Sequence, residues 1–202
     1  MFVTFEGIEG SGKSTLAASI AQALASAGRE VVVTREPGGT PLGEAVREIF
    51  LRPGLAVGPM AEALLINASR SHLVAGVIKP ALARGEDVLC DRFVDSTLAY
   101  QGYGRGLPLD LLRVMCAGAA EGLEPDLTLL IDVPYDVSRS RLRGRGSRTD
   151  RVEAEDVAFH ERVRGGYLEL ARSNPRIIAI DGTRPPRDVF DAAMAALSAK
   201  IA

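Results

Sequence analysis

Hydrophobic and polar positions alternate between two textures along this chain. Short apolar runs are separated by longer stretches in which apolar residues recur with helical spacing. The runs are Phe2–Phe5, Val31–Thr34, Asp87–Cys90, Leu127–Val133 and Ile177–Ile180. Runs this short with no polar alternation predict strands buried on both faces, hence a parallel sheet with helices on either side. Helices are expected over about 14–27, 41–51, 60–84, 108–120, 135–143, 154–173 and 186–200. Gly28 closes the first of them, and Pro53 to Pro59 reads as a loop from its proline and glycine content. There is no internal repeat.

Composition narrows the class. A chain of 202 residues fits one α/β domain over 1–202 with, at most, a small lid, and is long enough to build a full hydrophobic core. A formal net charge of -2 gives no bulk attraction to nucleic acid or to a membrane surface, so any phosphate recognition has to come from local clusters. Cys90 and Cys116 lack a metal-ligand spacing and read as buried thiols of a reducing compartment. His72 and His160 have no metal-type partner spacing either. The first residues lack a basic leader, and no stretch reaches the ~18 apolar residues of a membrane span. The expected location is the cytoplasm.

The chemistry begins at Gly7-Ile8-Glu9-Gly10-Ser11-Gly12-Lys13-Ser14, followed by Thr15. This is the phosphate-loop pattern placed between a strand and a helix, the context in which it works. Its glycines let backbone N–H groups wrap phosphate oxygens, and the helix that follows offers its positive end to the same anion. Lys13 is expected to reach the β- and γ-phosphates of a nucleoside triphosphate, and the Ser14 hydroxyl to ligate Mg2+.

Three further clusters bear on which triphosphate enzyme this is. Val88 to Phe93 is a hydrophobic strand ending in Asp91-Arg92, at the sheet edge where ligands bind in parallel α/β folds. Asp91 there suits the neighbourhood of Mg2+, and Arg92 suits a phosphate. Arg35-Glu36-Pro37-Gly38-Gly39-Thr40 makes a tight turn after the second strand. Arg139, Arg141, Arg143, Arg145, Arg148 and Arg151 fall within 139–151. Arginines closing over a transferring phosphoryl group stabilise its charge and exclude water, so this stretch suits a lid, with about half of its arginines expected only to be solvated or paired. The Asn-Lys-x-Asp motif of GTPases is absent from the sequence.

These segments, with Ser96 to Gly102 and Asp150-Arg151-Val152-Glu153, resemble in order the motifs of bacterial thymidylate kinases. The resemblance implies a three-layer α/β/α P-loop kinase fold with a five-stranded parallel sheet, order 2-3-1-4-5, and a small arginine-rich lid over about 139–155. It implies transfer of the γ-phosphate of ATP to dTMP with Mg2+, in a homodimer. By position, Glu9 resembles the carboxylate near the deoxyribose 3'-hydroxyl and the metal, and Asp91 a second metal neighbour. Arg35, Arg70 and Arg92 resemble the residues that hold the acceptor phosphate or base, with Pro37 beside them. Thr97 and Gln101 resemble neighbours of the thymine edge, and Tyr100 the ring that disfavours a 2'-hydroxyl. With no arginine inside the phosphate loop, the catalytic cation is expected from the lid, at Arg143, Arg145 or Arg148.

One position departs from the family pattern. An aromatic residue that stacks on thymine in many relatives is replaced by Ile66, followed by Asn67. Three outcomes are open: Ile66 forms an apolar floor, another aromatic such as Phe93 takes over, or the acceptor is not strictly dTMP. Two rival functions follow, another mononucleotide or small-metabolite kinase on the same scaffold, and a non-catalytic ATP-binding module.

Overall fold

The computed structural model describes residues 1–144 and 149–201. All five apolar runs are strands: β1 (Phe2–Glu6), β2 (Val31–Arg35), β3 (Asp87–Asp91), β4 (Leu127–Asp132) and β5 (Ile177–Asp181). They pair in parallel in the order β2-β3-β1-β4-β5. Four of them extend one residue past the apolar run onto a charged residue, Glu6, Arg35, Asp91 and Asp181, and β4 ends at Asp132. Because the strands are parallel, those charges collect along one edge of the sheet.

Helix α1 (Lys13–Ser26) leaves the phosphate loop, and α2 (Pro41–Leu51) follows β2 with Thr40 as its N-cap, the hydroxyl accepting from the Gly43 amide at 3.0 Å. The helix expected over 60–84 is α3 (Pro59–Leu73) and α4 (Lys79–Ala83) joined by a π-helical turn, Val74–Ile78. After β3 comes an element that hydrophobic spacing did not suggest: α5 (Val94–Thr97) runs into π-helical Leu98–Gly104. Its two glycines argue against a helix by propensity, but packing requires them. A Cβ on Gly102 would lie 2.5 Å from the Leu109 side chain, and one on Gly104 2.8 Å from Phe159 and Val163. The remaining helices are α6 (Leu109–Ala119), α7 (Tyr135–Gly144), α8 (Val157–Ser173) and α9 (Pro186–Ile201). Among the described residues no helix is long and apolar enough to cross a membrane.

The sheet is covered on both faces. Val3, Phe5, Leu129 and Ile180 pack on one side against Leu16, Ile20 and Leu24 of α1 and Ala193 and Leu197 of α9. Phe2, Val88 and Cys90 face the other way, onto Leu73, Val74, Ile78 and Phe93. On that second side α8 lies against the π-helical segment, with Phe159, Val163 and Tyr167 in one cluster with Leu98, Ala99 and Tyr100.

Adjacent glycines in α8 make a direct test of this packing. A Cβ on Gly166 would sit 2.5 Å from the Tyr103 ring, whereas one on Gly165 meets nothing within 4 Å. Gly166→Ala is therefore expected to destabilise by about 1–3 kcal/mol through overpacking. Gly165→Ala should stabilise by about 0.5–1 kcal/mol through helix propensity. Urea unfolding midpoints at constant m-value give both signs.

Candidate active site

The phosphate loop is held in shape by close backbone approaches. Gly7 and Gly10 adopt φ of 136° and 72°, and a Cβ on either would strike a carbonyl oxygen, Ile131 O at 2.4 Å or Ser138 O at 2.7 Å. The second of these belongs to α7, which grips the loop further. Ser138 donates to Glu9 O at 2.6 Å, and Arg141 donates to Ser11 O at 3.2 Å and Gly182 O at 2.8 Å. Lys13, buried, folds back over the loop and donates from Nζ to Gly7 O at 3.0 Å and Ile8 O at 2.9 Å. Ile8 is part of the core, while Ser14 and Thr15 are exposed on the first turn of α1.

Asp91 and Arg92 diverge at the end of β3. Asp91 turns to the loop, where its Oδ2 accepts from the Ser14 hydroxyl at 2.5 Å. Arg92 turns the other way from a strained backbone, φ 74°. Its guanidinium donates to Glu9 Oε1 at 2.9 Å, Tyr100 Oη at 3.2 Å, Ser96 Oγ at 3.1 Å and Tyr167 Oη at 3.1 Å, while also lying over the Tyr100 ring. Tyr100 itself donates to Glu9 Oε1 at 2.6 Å. Glu6 supports this group from below. Its carboxyl accepts from the Phe93 amide at 2.8 Å, Ser96 Oγ at 2.5 Å and Tyr167 Oη at 2.9 Å.

Burial decides the charges. It raises the Glu6 carboxyl, and nearby Asp95 raises it further, to about 7. Burial would also raise Glu9, but Arg92, Lys13 and the Tyr100 hydroxyl outweigh it and hold that carboxyl below its ordinary value. Lys13 falls to about 8, from burial and then from Arg92. The site therefore presents Lys13 and Arg92 side by side with only partial compensation, an arrangement that favours a polyanion.

One cleft joins these groups to the wall expected to hold an acceptor. Glu9, Gly10, Gly12, Lys13, Ser14, Asp91 and Arg92 line one end, and Arg35, Pro37, Ile66, Arg70, Tyr100 and Gln101 line the other. Arg35 is half exposed and tied to Glu44 Oε2 at 2.9 Å. Arg70 is wholly buried and committed to the protein: its donors reach Glu36, Asn67 Oδ1, Cys116 Sγ, Phe93 O and Thr97 Oγ1. A guanidinium has five N–H donors, so a ligand atom would have to share one of them. Thr97 stands behind Arg70 and is not on the cleft wall, because the first turn of α5 turns it toward the guanidinium.

The arginine-rich stretch divides. Arg139 donates to Glu153 O at 3.0 Å, Arg141 clamps the loop, and Arg151 donates to Phe50 O at 2.9 Å and Glu62 Oε1 at 2.5 Å, so these three serve the framework. Arg143 is exposed at the end of α7, and Arg145 and Arg148 lie outside the described residues. The aromatic alternative named from sequence, Phe93, is fully buried against Phe2 and off the cleft wall. The rings that do line the cleft are Phe50 and Tyr100.

Residues missed in the sequence are those that work through others. Glu6 lies one residue past the expected strand Phe2–Phe5, and Tyr167 inside the helix expected over 154–173, and nothing in the local pattern singled out either. His160, which has no metal-type spacing, stacks on Tyr135 and brings Nδ1 to 3.7 Å from Glu9 Oε2. Among the described residues no three His, Cys, Asp or Glu side chains are grouped to hold a metal. Ser14 and Asp91 offer two oxygen donors at one point beside the loop, which suits Mg2+, a cation bound through one or two protein oxygens with phosphate and water completing its shell.

Residues 5–193 match the family model for thymidylate kinases. The chain belongs to the thymidylate kinase family. It is 50% identical over 199 residues to the thymidylate kinase of Deinococcus radiodurans, covering 98% of this chain and 96% of that one. It is 46% identical to the thymidylate kinase of Trichlorobacter lovleyi, covering 100% and 99%. The crystal structure of thymidylate kinase from Ehrlichia chaffeensis superimposes with a TM-score of 0.78 at 36% identity, covering 98% of both chains. The expected family and its P-loop fold, with strand order 2-3-1-4-5, are both borne out.

Two predictions follow from the charges and the strain. Binding of MgATP above pH 8 should draw about half to one proton onto Lys13, since a polyphosphate raises a lysine that the free protein holds near 8. Titration calorimetry in buffers of different ionisation enthalpy reads the uptake, which Lys13→Met should abolish. At position 92, both Arg92→Ala and Arg92→Gly should lose turnover, but the glycine variant should be more stable by about 1 kcal/mol, because only glycine relieves a positive φ. Thermal unfolding of the pair separates backbone strain from the guanidinium.

Proposed function

We propose that this protein transfers the γ-phosphoryl group of ATP to the phosphate of dTMP, giving ADP and dTDP. The observation that carries the reading is the placement of Arg92. A guanidinium held by Glu9, Tyr100, Ser96 and Tyr167 on a strained backbone stands in the same cleft as Lys13. A binder of ATP alone has no use for a second, separately braced cation there, which disfavours the non-catalytic module.

The reaction needs an oxygen of the acceptor phosphate to form a bond to the γ-phosphorus as the bond to the β–γ bridging oxygen breaks. That oxygen is already anionic, so no general base is required, and the protein's part is alignment and charge neutralisation. Lys13 leaves its loop carbonyls for the β- and γ-phosphates. Arg92, with Arg35 swinging from Glu44, holds the acceptor phosphate. Arg143, Arg145 and Arg148 are assigned to the lid, over about 139–155, that covers the transferring group. Ser14 and Asp91 are the residues that would hold Mg2+, which when bound would neutralise charge on the triphosphate. Glu9 is fixed by Arg92 and Tyr100 through Oε1, and its buried Oε2, which makes no hydrogen bond and has His160 Nδ1 3.7 Å away, is the atom assigned to a sugar hydroxyl. Tyr100, which lines the cleft beside Glu9 and bonds its Oε1, is assigned to the space beside the deoxyribose.

A homodimer is part of the same proposal. Leu42 and Ile49 of α2, Met60 and Leu64 of α3, and Leu111 and Val114 of α6 are exposed on helices that pack side by side. Light scattering at micromolar concentration should give twice the chain mass, and a monomer there removes this part.

ADP formation from MgATP with dTMP, dUMP, dGMP, dCMP and UMP at matched concentration tests the chemistry. Strong preference for dTMP is expected. Preference for another acceptor would keep the transfer and replace the base, and silence with all five would favour the binding module. Lys13→Ala should lower kcat by at least about 100-fold with the fold retained, and a rate near that of the unaltered protein would remove Lys13 from the mechanism.

A further inference from the structure

The base end of the cleft contains an acceptor without a partner. Gln101 lines the cleft and is almost wholly buried, and its Oε1 makes no hydrogen bond. Its other end is engaged, with Nε2 donating to Glu62 Oε2 at 3.0 Å. That bond fixes which way the amide faces. A carboxylate only accepts, so the amide must turn its NH2 to Glu62 and its carbonyl away.

Glu62 is itself held from several sides. It is buried in the first turn of α3, and Arg105 donates to Oε2 at 3.2 Å and to Oε1 at 3.0 Å, with Arg151 donating to Oε1 at 2.5 Å. Two guanidinium groups thus leave the carboxylate one fixed orientation, and the amide inherits it. Meanwhile Arg70, another polar group lining the cleft, has its donors occupied by Glu36, Asn67, Cys116, Phe93 and Thr97.

We propose that Glu62 is a specificity-positioning residue: it locks Gln101 with its carbonyl toward the acceptor base, so that the site takes a pyrimidine presenting a ring N–H and rejects one presenting a bare ring nitrogen. This rests on the dTMP kinase reading and deepens it. Thymine and uracil carry a hydrogen on N3, whereas cytosine offers a lone pair there. A carbonyl fixed opposite N3 bonds the first two and meets the third with two facing acceptors, leaving both unpaired in a buried site. Were the amide free to rotate, its NH2 would serve cytosine equally well. Discrimination therefore depends on a residue that need not touch the base.

Glu62→Gln provides the test, because a neutral amide can accept from or donate to Gln101 and no longer dictates its face. Turnover and calorimetric binding of dTMP and dCMP are measured together on the full chain. The dTMP:dCMP ratio in kcat/KM and in affinity is expected to fall by about 10-fold or more. Arg105→Gln, which loosens the same carboxylate but leaves the Gln101 contact, should lower the melting temperature with the ratio kept within about 2-fold. An equal loss for both nucleotides in Glu62→Gln, or the same collapse in Arg105→Gln, overturns the proposal. If Glu62→Gln does not fold, Gln101→Met and the side-chain amide resonances of Gln101 decide. A ratio unchanged by Gln101→Met, or an amide in free rotation in the unaltered protein, overturns it as well. Binding of dTMP over dCMP without ADP formation would defeat the kinase reading and leave this inference standing.

Discussion

Arg92 is the joint through which the phosphate loop, the sheet edge and the helical layer act on one another. Its guanidinium reaches Glu9 in the loop, Tyr100 and Ser96 after β3, and Tyr167 of α8. Holding it requires a residue with φ 74° immediately after a strand, a conformation that costs of order 1 kcal/mol or more for a side chain with a Cβ. The compensation is visible in the same residue, whose amide donates to Phe5 O at 3.0 Å while four side chains take the guanidinium. Glu6, bonded to Ser96, Tyr167 and the Phe93 amide, ties these partners together beneath it. The strain thus turns Arg92 away from Asp91, so that the carboxylate faces Ser14 and the cation faces Glu9, Tyr100, Ser96 and Tyr167.

The same separation explains how a chain of net charge -2 can bind polyanions. Four of the five charged strand ends at that edge are carboxylates, Glu6, Asp91, Asp132 and Asp181, so the positive charge comes from elsewhere: Arg35, Arg92 just past β3, and the loop with Lys13 and the positive end of α1. The carboxylates at that edge are assigned elsewhere. Glu36 is paired with Arg70, Glu9 with Arg92, and Asp132 with Arg164. Lys13, held by the Gly7 and Ile8 carbonyls rather than by a carboxylate, is then the cation left to meet a ligand, in a partly buried cleft where each interaction is worth more than on the surface.

The five strands and the phosphate loop were legible in the sequence because each follows from a local rule, an apolar run or a glycine pattern, whereas the sheet order followed only from the family resemblance. Residues 94–104 were not. Gly102 and Gly104 look like helix breakers until Leu109, Phe159 and Val163 arrive from elsewhere in the chain and need the space. Nor could the arginine-rich stretch be apportioned, since Arg139, Arg141 and Arg151 become framework residues only through backbone carbonyls at Glu153, Ser11 and Phe50. Phe93, by its nearness to Asp91-Arg92, looked available to a base, but the side chain enters the core under Arg70, with the guanidinium 5.2 Å above its ring.

Position 66 shows how a departure from a family pattern can be absorbed by packing. Ile66 lines the cleft with little exposure, so the wall there is aliphatic and close-fitting rather than empty. The aromatic on that wall outside the Arg92 group is Phe50, at the end of α2. Its ring carries the Arg151 guanidinium at 5.0 Å, its carbonyl accepts from Arg151 Nε, and the Arg151 amide donates to Leu51 O at 3.2 Å. Arg151 also bonds Glu62. The segment that follows the arginine-rich stretch is therefore fastened to the apolar wall and to the carboxylate behind Gln101 through a single side chain.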